Sequence, residues 1–109
     1  MSHQPKENSG PIVSELASED SSFAGIIVEF VNGLPERLRA MEDSLQMADF
    51  QALANAAHQL KGSGGGYGYP MLTEQAGKLE MMAKHRSQAA CAELVANMKD
   101  LCARSVVST

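Results

Sequence analysis

The stretch Ala57 to Pro70, AHQLKGSGGGYGYP, sets one imidazole, His58, three residues ahead of one ammonium, Lys61. Gly62, Gly64, Gly65, Gly66 and Gly68 follow them. A neutral imidazole can act as a nucleophile or proton acceptor near neutral pH, and a lysine one helical turn on can offset negative charge beside it. Glycines are poor company for such a pair, because each in a helix interior costs roughly 0.5–1 kcal/mol relative to Ala. The run must end a helix or serve something that needs bare backbone.

A helix turns about 100° per residue, which fixes the direction of each side chain. With Leu53 at zero, Ala57, Leu60, Gly64 and Tyr67 fall within about 40° of the core direction. His58 falls at about 140°, Lys61 at about 80°, Gly62 at about 180° and Gly65 at about 120°. His58 is thus expected to face solvent on a flat surface poor in side chains. Gly62 and Gly65 clear space there for another macromolecule, Gly64 lets a neighbouring helix approach, and Gly66 is assigned to neither role. The plain alternative is a solvated histidine ahead of a helix end. Against it, the glycines begin four residues after His58 and run on before the stop at Gly68.

Other chemistries fit poorly. GSGGGY places Tyr67 where a dinucleotide fingerprint needs its third glycine, and no strand precedes it. LKGSGG has Lys before Gly-Ser, unlike a phosphate-binding P-loop. His58 has no His, Cys or carboxylate three or four residues away, so no metal site is expected. Ser63 lies on a different side of the helix from His58 and is a poor candidate nucleophile.

The rest of the chain must position this surface. Phe23, Ile27, Phe30, Leu34, Leu38, Met41 and Leu45 step by three and four, a helix with one buried stripe capped by Asp20 or Ser21. Pro35 either kinks this helix or begins a second; the unbroken stripe favours one kinked helix. Asp49 caps the His58 helix, Gly68 suits the position past its end, and Pro70 suits the opening of the next. That next helix, Met71 to His85, buries Leu72, Ala76, Leu79 and Ala83. A last one, Ser87 to Val106, buries Cys91, Leu94, Met98, Leu101 and Cys102. Short connections imply an all-α, antiparallel up-down four-helix bundle. The segment from Pro11 packs across one end and buries Ile12 and Leu16.

The 109 residues suffice for one domain, expected over 11–109, with residues 1–10 a polar, mobile tail. A formal charge of -4 argues against nucleic acid as partner. No apolar stretch approaches the ~20 residues of a membrane span, and the start lacks the apolar core of a secretory signal. Cys91 and Cys102 sit about 16 Å apart along one helix, too far to bridge. Free thiols suit a cytoplasmic protein.

HQLKGSGGGYG resembles the histidine-containing phosphotransfer (HPt) domain of bacterial phosphorelays, whose pattern His-x-Leu-Lys-Gly-Ser/Ala and a closing Gly is matched by His58, Leu60, Lys61, Gly62, Ser63 and Gly68. FVNGLPERLRAMEDSLQMADFQALANAAH upstream and LTEQAGKLEMMAK downstream are similar to the family's flanking helices. The triple Gly64-Gly65-Gly66 departs from it, since relatives more often carry Ser or Ala there. The resemblance implies a monomeric phosphocarrier: His58 accepts a phosphoryl group from a receiver-domain phospho-aspartate and passes it to another receiver. Response-regulator receivers and a hybrid histidine kinase are the implied partners. Mg²⁺ would come from the receiver, and the chain would hold no cofactor and have no turnover of its own.

Helical counting adds two residues. With Leu72 at zero, Glu80 lies about 80° and Lys84 about 120° off the core stripe, an edge that a neighbouring helix could turn towards His58. A carboxylate accepting from Nδ1–H would leave Nε2 free to attack. The alternative is an ordinary i,i+4 surface pair. The resemblance thus assigns His58 as the phosphorylated residue, Lys61 to charge stabilisation and Glu80 to imidazole orientation. Gly62, Ser63, Gly65 and Lys84 would form the receiver-docking surface. Two other readings remain at this point: a phospho-accepting module of a chemotaxis-type or hybrid kinase, and an adaptor that binds receivers without being phosphorylated.

Overall fold

The computed structural model describes residues 10–106. The expected tail therefore lies almost wholly outside the described residues, as does the end of the chain beyond Val106. The elements run in the order β1 (Ile12–Val13), α1 (Glu15–Glu19), a 3-10 turn (Ser21–Phe23), α2 (Ala24–Asn32), α3 (Leu34–Gln46), α4 (Phe50–Gly66), α5 (Pro70–Lys84), α6 (Gln88–Arg104) and β2 (Ser105–Val106). The fold is all-α apart from one short parallel pairing, Ile12 with Ser105 and Val13 with Val106. None of these helices is long and apolar enough to cross a membrane.

The single kinked helix expected from Phe23 to Leu45 is two helices, α2 and α3, meeting at Gly33. Pro35 has no N–H to offer the carbonyl of Val31, so the ladder breaks one turn before it. Gly33 takes up the break, its N–H turning to the carbonyls of Glu29 and Phe30, each at 3.1 Å. The stripe survives because the backbone at Gly33 stays near helical angles. Ile27, Phe30, Leu34, Leu38 and Met41 are all buried. Phe23 is exposed, because it belongs to the 3-10 turn ahead of α2. Asp20 caps that turn, accepting from the amide of Ser22 at 3.0 Å.

α4 packs between α3 and α5, and α6 packs against the same two helices. Apolar residues at helical spacing meet in the space they enclose: Leu53, Ala57 and Leu60 of α4, Leu72, Ala76 and Leu79 of α5, Cys91, Val95 and Met98 of α6. Leu94 and Cys102, expected inside, are only partly buried, and Val95 takes the inward place. α6 stops at Arg104 rather than Val106 because Ser105 turns extended and pairs with β1. Both cysteines are unpaired; burial raises both thiols, that of Cys102 to about 11.

One end of the fold is clasped by the N-terminal segment. Ser14 caps α1 through the amide of Ala17 and donates to the carbonyl of Tyr67 at 2.6 Å. The amide of Glu15 donates to the carbonyl of Gly68 at 2.7 Å. Gly68 has φ +89°, and a Cβ there would collide with Leu16, Ser14 and Glu15. Glycine is required twice over: by the left-handed turn and by the close crossing. Tyr69 is fully buried and donates to the carbonyl of Val106 at 2.6 Å. Ile12 and Leu16 are partly buried against the core. The corner where the His58 helix ends is thereby fixed.

Candidate functional site

α4 starts cleanly because Asp49 accepts from the amide of Ala52 at 3.1 Å. His58 then emerges two turns in, its side chain 67% exposed. Its ring does not stand free on every side. Nδ1 lies 3.1 Å from Oε2 of Glu80 on α5. An ionised carboxylate can only accept, so Nδ1 carries a proton in this pair, and in the neutral ring the lone pair is then on Nε2.

Glu80 is itself only 8% exposed, and three side chains converge on it. Nζ of Lys61 sits 2.8 Å from Oε1, and Nζ of Lys84 sits 3.1 Å from Oε2. A carboxylate so enclosed would ordinarily resist ionisation. Hydrogen bonds from Lys61 and then Lys84 outweigh that desolvation and hold the carboxyl at about 2, against its usual 4.5. Glu80 is thus a fixed negative charge at neutral pH. Lys61 reaches it by laying its stem across α5 at Gly77, where a Cβ would stand 3.4 Å from Cδ of Lys61.

The opposite flank of His58 is a shallow, open depression lined by Arg37, Gln59, Gly62, Ser63, Gly66 and Tyr67. A Cβ placed on Gly62 or Gly66 would meet nothing within 4 Å. Tyr67 and Arg37 in that lining both rest on buried Phe30: the Tyr67 ring stacks on the Phe30 ring with centroids 4.8 Å apart, and the Arg37 guanidinium lies 5.8 Å from the Phe30 ring centre. His58 stands on the ridge between a charged, closed side and a bare, open one.

The structure brings His58, Lys61, Glu80 and Lys84 into one cluster, and sets Gly62 and Ser63 in the depression beside it. Gly65 is placed differently from Gly62. It faces α5, where a Cβ would come 3.1 Å from Oγ1 of Thr73. Lys84 does not project alone; it is engaged with Glu80. Arg37 and Gln59 were not singled out in the sequence, and Gly66 was given no role; Tyr67, counted towards the core, is only partly buried and lines the depression. Helical counting could have found Gln59 and Gly66, which follow from the direction of Gly62. Nothing local marks Arg37, which comes from a different helix. Among the described residues no three His, Cys, Asp or Glu side chains group as a metal site.

A family model described as "Hpt domain" matches residues 25–106, most of the chain and all of the cluster. The chain belongs to the Hpt family. Searches of curated proteins and of solved structures returned no significant match. Membership implies histidine phosphotransfer in a phosphorelay, a carrier's role, with receiver domains and kinases as the family's interaction partners. β1, α1 and the 3-10 turn precede the matched region.

Proposed function

We propose that this Hpt domain carries a phosphoryl group on Nε2 of His58, accepting it from the phospho-aspartate of one receiver domain and passing it to another. The observation that carries this reading is the exposed imidazole whose Nδ1 is taken by Glu80 while its other flank lies open. In the accepting step the Nε2 lone pair attacks phosphorus, the N–P bond forms, and the P–O bond to the aspartate breaks. The aspartate leaves as a carboxylate. The imidazole gains positive charge, which the Glu80 carboxylate beside Nδ1–H offsets. Lys61 supplies the ammonium for the phosphoryl oxygens, and positioning does most of the rest. Mg²⁺ and the acidic residues that hold it belong to the receiver.

Gly62, Ser63 and Lys84 form the docking ground, with Gly65 at its α5 edge. Arg37 extends that ground across the depression as a cation for an acidic receiver. We read α3 to α6 as an antiparallel up-down four-helix bundle, because each is joined to the next by three residues. The domain acts as a monomer in the cytoplasm, where its free thiols stay reduced.

The test is incubation with a phosphorylated receiver and Mg²⁺. Wild type should take up acid-labile, alkali-stable label; His58→Gln should take up none while keeping its helical circular dichroism. Label persisting in that variant would place the acceptor elsewhere, and an unlabelled wild type that still binds the receiver would make the domain an adaptor.

A further inference from the structure

The glycine run poses a problem that docking leaves half solved, since Gly64 and Gly65 do not face the open depression. Both face α5, and one side chain fills the notch they leave. Oγ1 of Thr73 stands 3.1 Å from the Cβ position of each glycine and donates to the carbonyl of Lys61 at 2.9 Å. In a helix that carbonyl already serves the amide four residues on, that of Gly65. The hydroxyl takes its second lone pair. A Cβ at either glycine would be tighter against Thr73 than most side-chain contacts, so the hydroxyl would have to shift by a few tenths of an ångström and strain its bond to Lys61.

Thr73, Gly77, Glu80 and Lys84 follow one another at intervals of four, three and four, so they share the α5 face turned to α4. Along that face Thr73 bonds the backbone of Lys61, Gly77 admits its stem, and Glu80 receives its ammonium. We infer that Thr73, keyed into the Gly64–Gly65 notch, is a positioning residue for phosphotransfer: it sets the α4–α5 register that holds Lys61 and His58 against Glu80. The inference rests on the phosphocarrier reading for its kinetic consequence, and on geometry alone for its effect on the imidazole. Side-chain pairs at 2.8 and 3.1 Å have little slack, so a small slide of α5 would part them.

The test compares Thr73→Val, which keeps the shape and loses the hydroxyl, with Thr73→Ser, which keeps the hydroxyl. Gly65→Ala, which should favour the helix while pressing on Thr73, stands in should Thr73→Val fail to fold. At saturating phosphorylated receiver and Mg²⁺, Thr73→Val should transfer about tenfold more slowly with its half-saturating concentration unchanged, since sub-ångström misplacement acts on the reacting step. Thr73→Ser should restore the rate. In a Lys61→Ala background Thr73→Val should slow transfer much less, because the two act together. Equal effects in both backgrounds would make Thr73 a packing residue and overturn the inference, as would a wild-type rate in Thr73→Val. If wild type takes no label, the phosphocarrier reading fails and ¹⁵N shifts of the neutral His58 ring still decide. The Nδ1–H tautomer should lose population in Thr73→Val and regain it in Thr73→Ser; an unchanged spectrum would refute the positioning role.

Discussion

Two pairs of glycines on the same helix meet opposite surroundings. Gly64 and Gly65 face α5, where a Cβ would stand 3.1 Å from Oγ1 of Thr73 at either position and, at Gly64, 3.2 Å from Cβ of Leu72. Gly62 and Gly66 face open space beside His58. A run that looks uniform in sequence therefore does two jobs, close helix packing on one flank and an uncluttered approach on the other. The flanks differ electrostatically too: three cationic or protonatable groups converge on buried Glu80 on the first, while Arg37 alone brings charge to the second. In the proposed phosphocarrier, the difference separates what prepares the imidazole from what admits a partner to it.

The contrast is most sharply broken by stability. Gly64→Val would drive side-chain atoms into Leu72 and the backbone of Thr73, an overpacking of about 1–3 kcal/mol and a Tm lowered by about 5–15 °C. Gly62→Val should leave Tm unchanged or slightly raised, since valine is the better helix former. It should instead raise the half-saturating receiver concentration about tenfold, or about 1.4 kcal/mol of docking. Thermal unfolding beside transfer kinetics measures both; equal losses of stability would erase the distinction between the pairs.

Charge offers a second, smaller contrast. Lys61→Ala should slow transfer about tenfold even at saturating receiver, as expected for a group that stabilises charge in the reacting step. Arg37→Ala should leave that saturated rate alone, weaken docking about threefold and lessen its salt dependence. Stopped-flow transfer at two ionic strengths separates them. Should Arg37→Ala slow the saturated rate as much as Lys61→Ala, the open flank would also take part in the chemistry.

The smallest effect concerns acid. Glu80 has its carboxyl lowered in the folded state to about 2 from 4.5, so its ion pairs stabilise the fold fully above pH 4.5. That contribution is lost as pH falls from 4.5 through about 2. Glu80→Gln should flatten this part of the stability profile in urea unfolding and leave the slope above pH 5 unaltered. An identical acid slope in both proteins would mean that the pairs do not hold Glu80 ionised.

Much of this arrangement was legible in the sequence. Ideal helical counting sent His58 outward, and it put Glu80 and Lys84 on one edge of the following helix. Asp49, Gly68 and Pro70 marked the ends correctly, because caps and left-handed turns are local chemistry. Counting failed where the answer lay on another element. It gave Gly65 nearly the direction of His58 and so the same open surroundings; only the register of α5 reveals that Thr73 fills that direction. Arg37 was invisible for the same reason. The break at Gly33 escaped because the apolar stripe continues across it, while the missing Pro35 N–H acts on the backbone alone.

The central claim is that Glu80 holds the Nδ1 proton and leaves Nε2 to react. The direct measurement is ³¹P–¹⁵N correlation on the phosphorylated, ¹⁵N-histidine-labelled domain in alkaline buffer. Phosphorus coupled to Nε2 of His58 is the expected result. Coupling to Nδ1, or to any other residue, would contradict it.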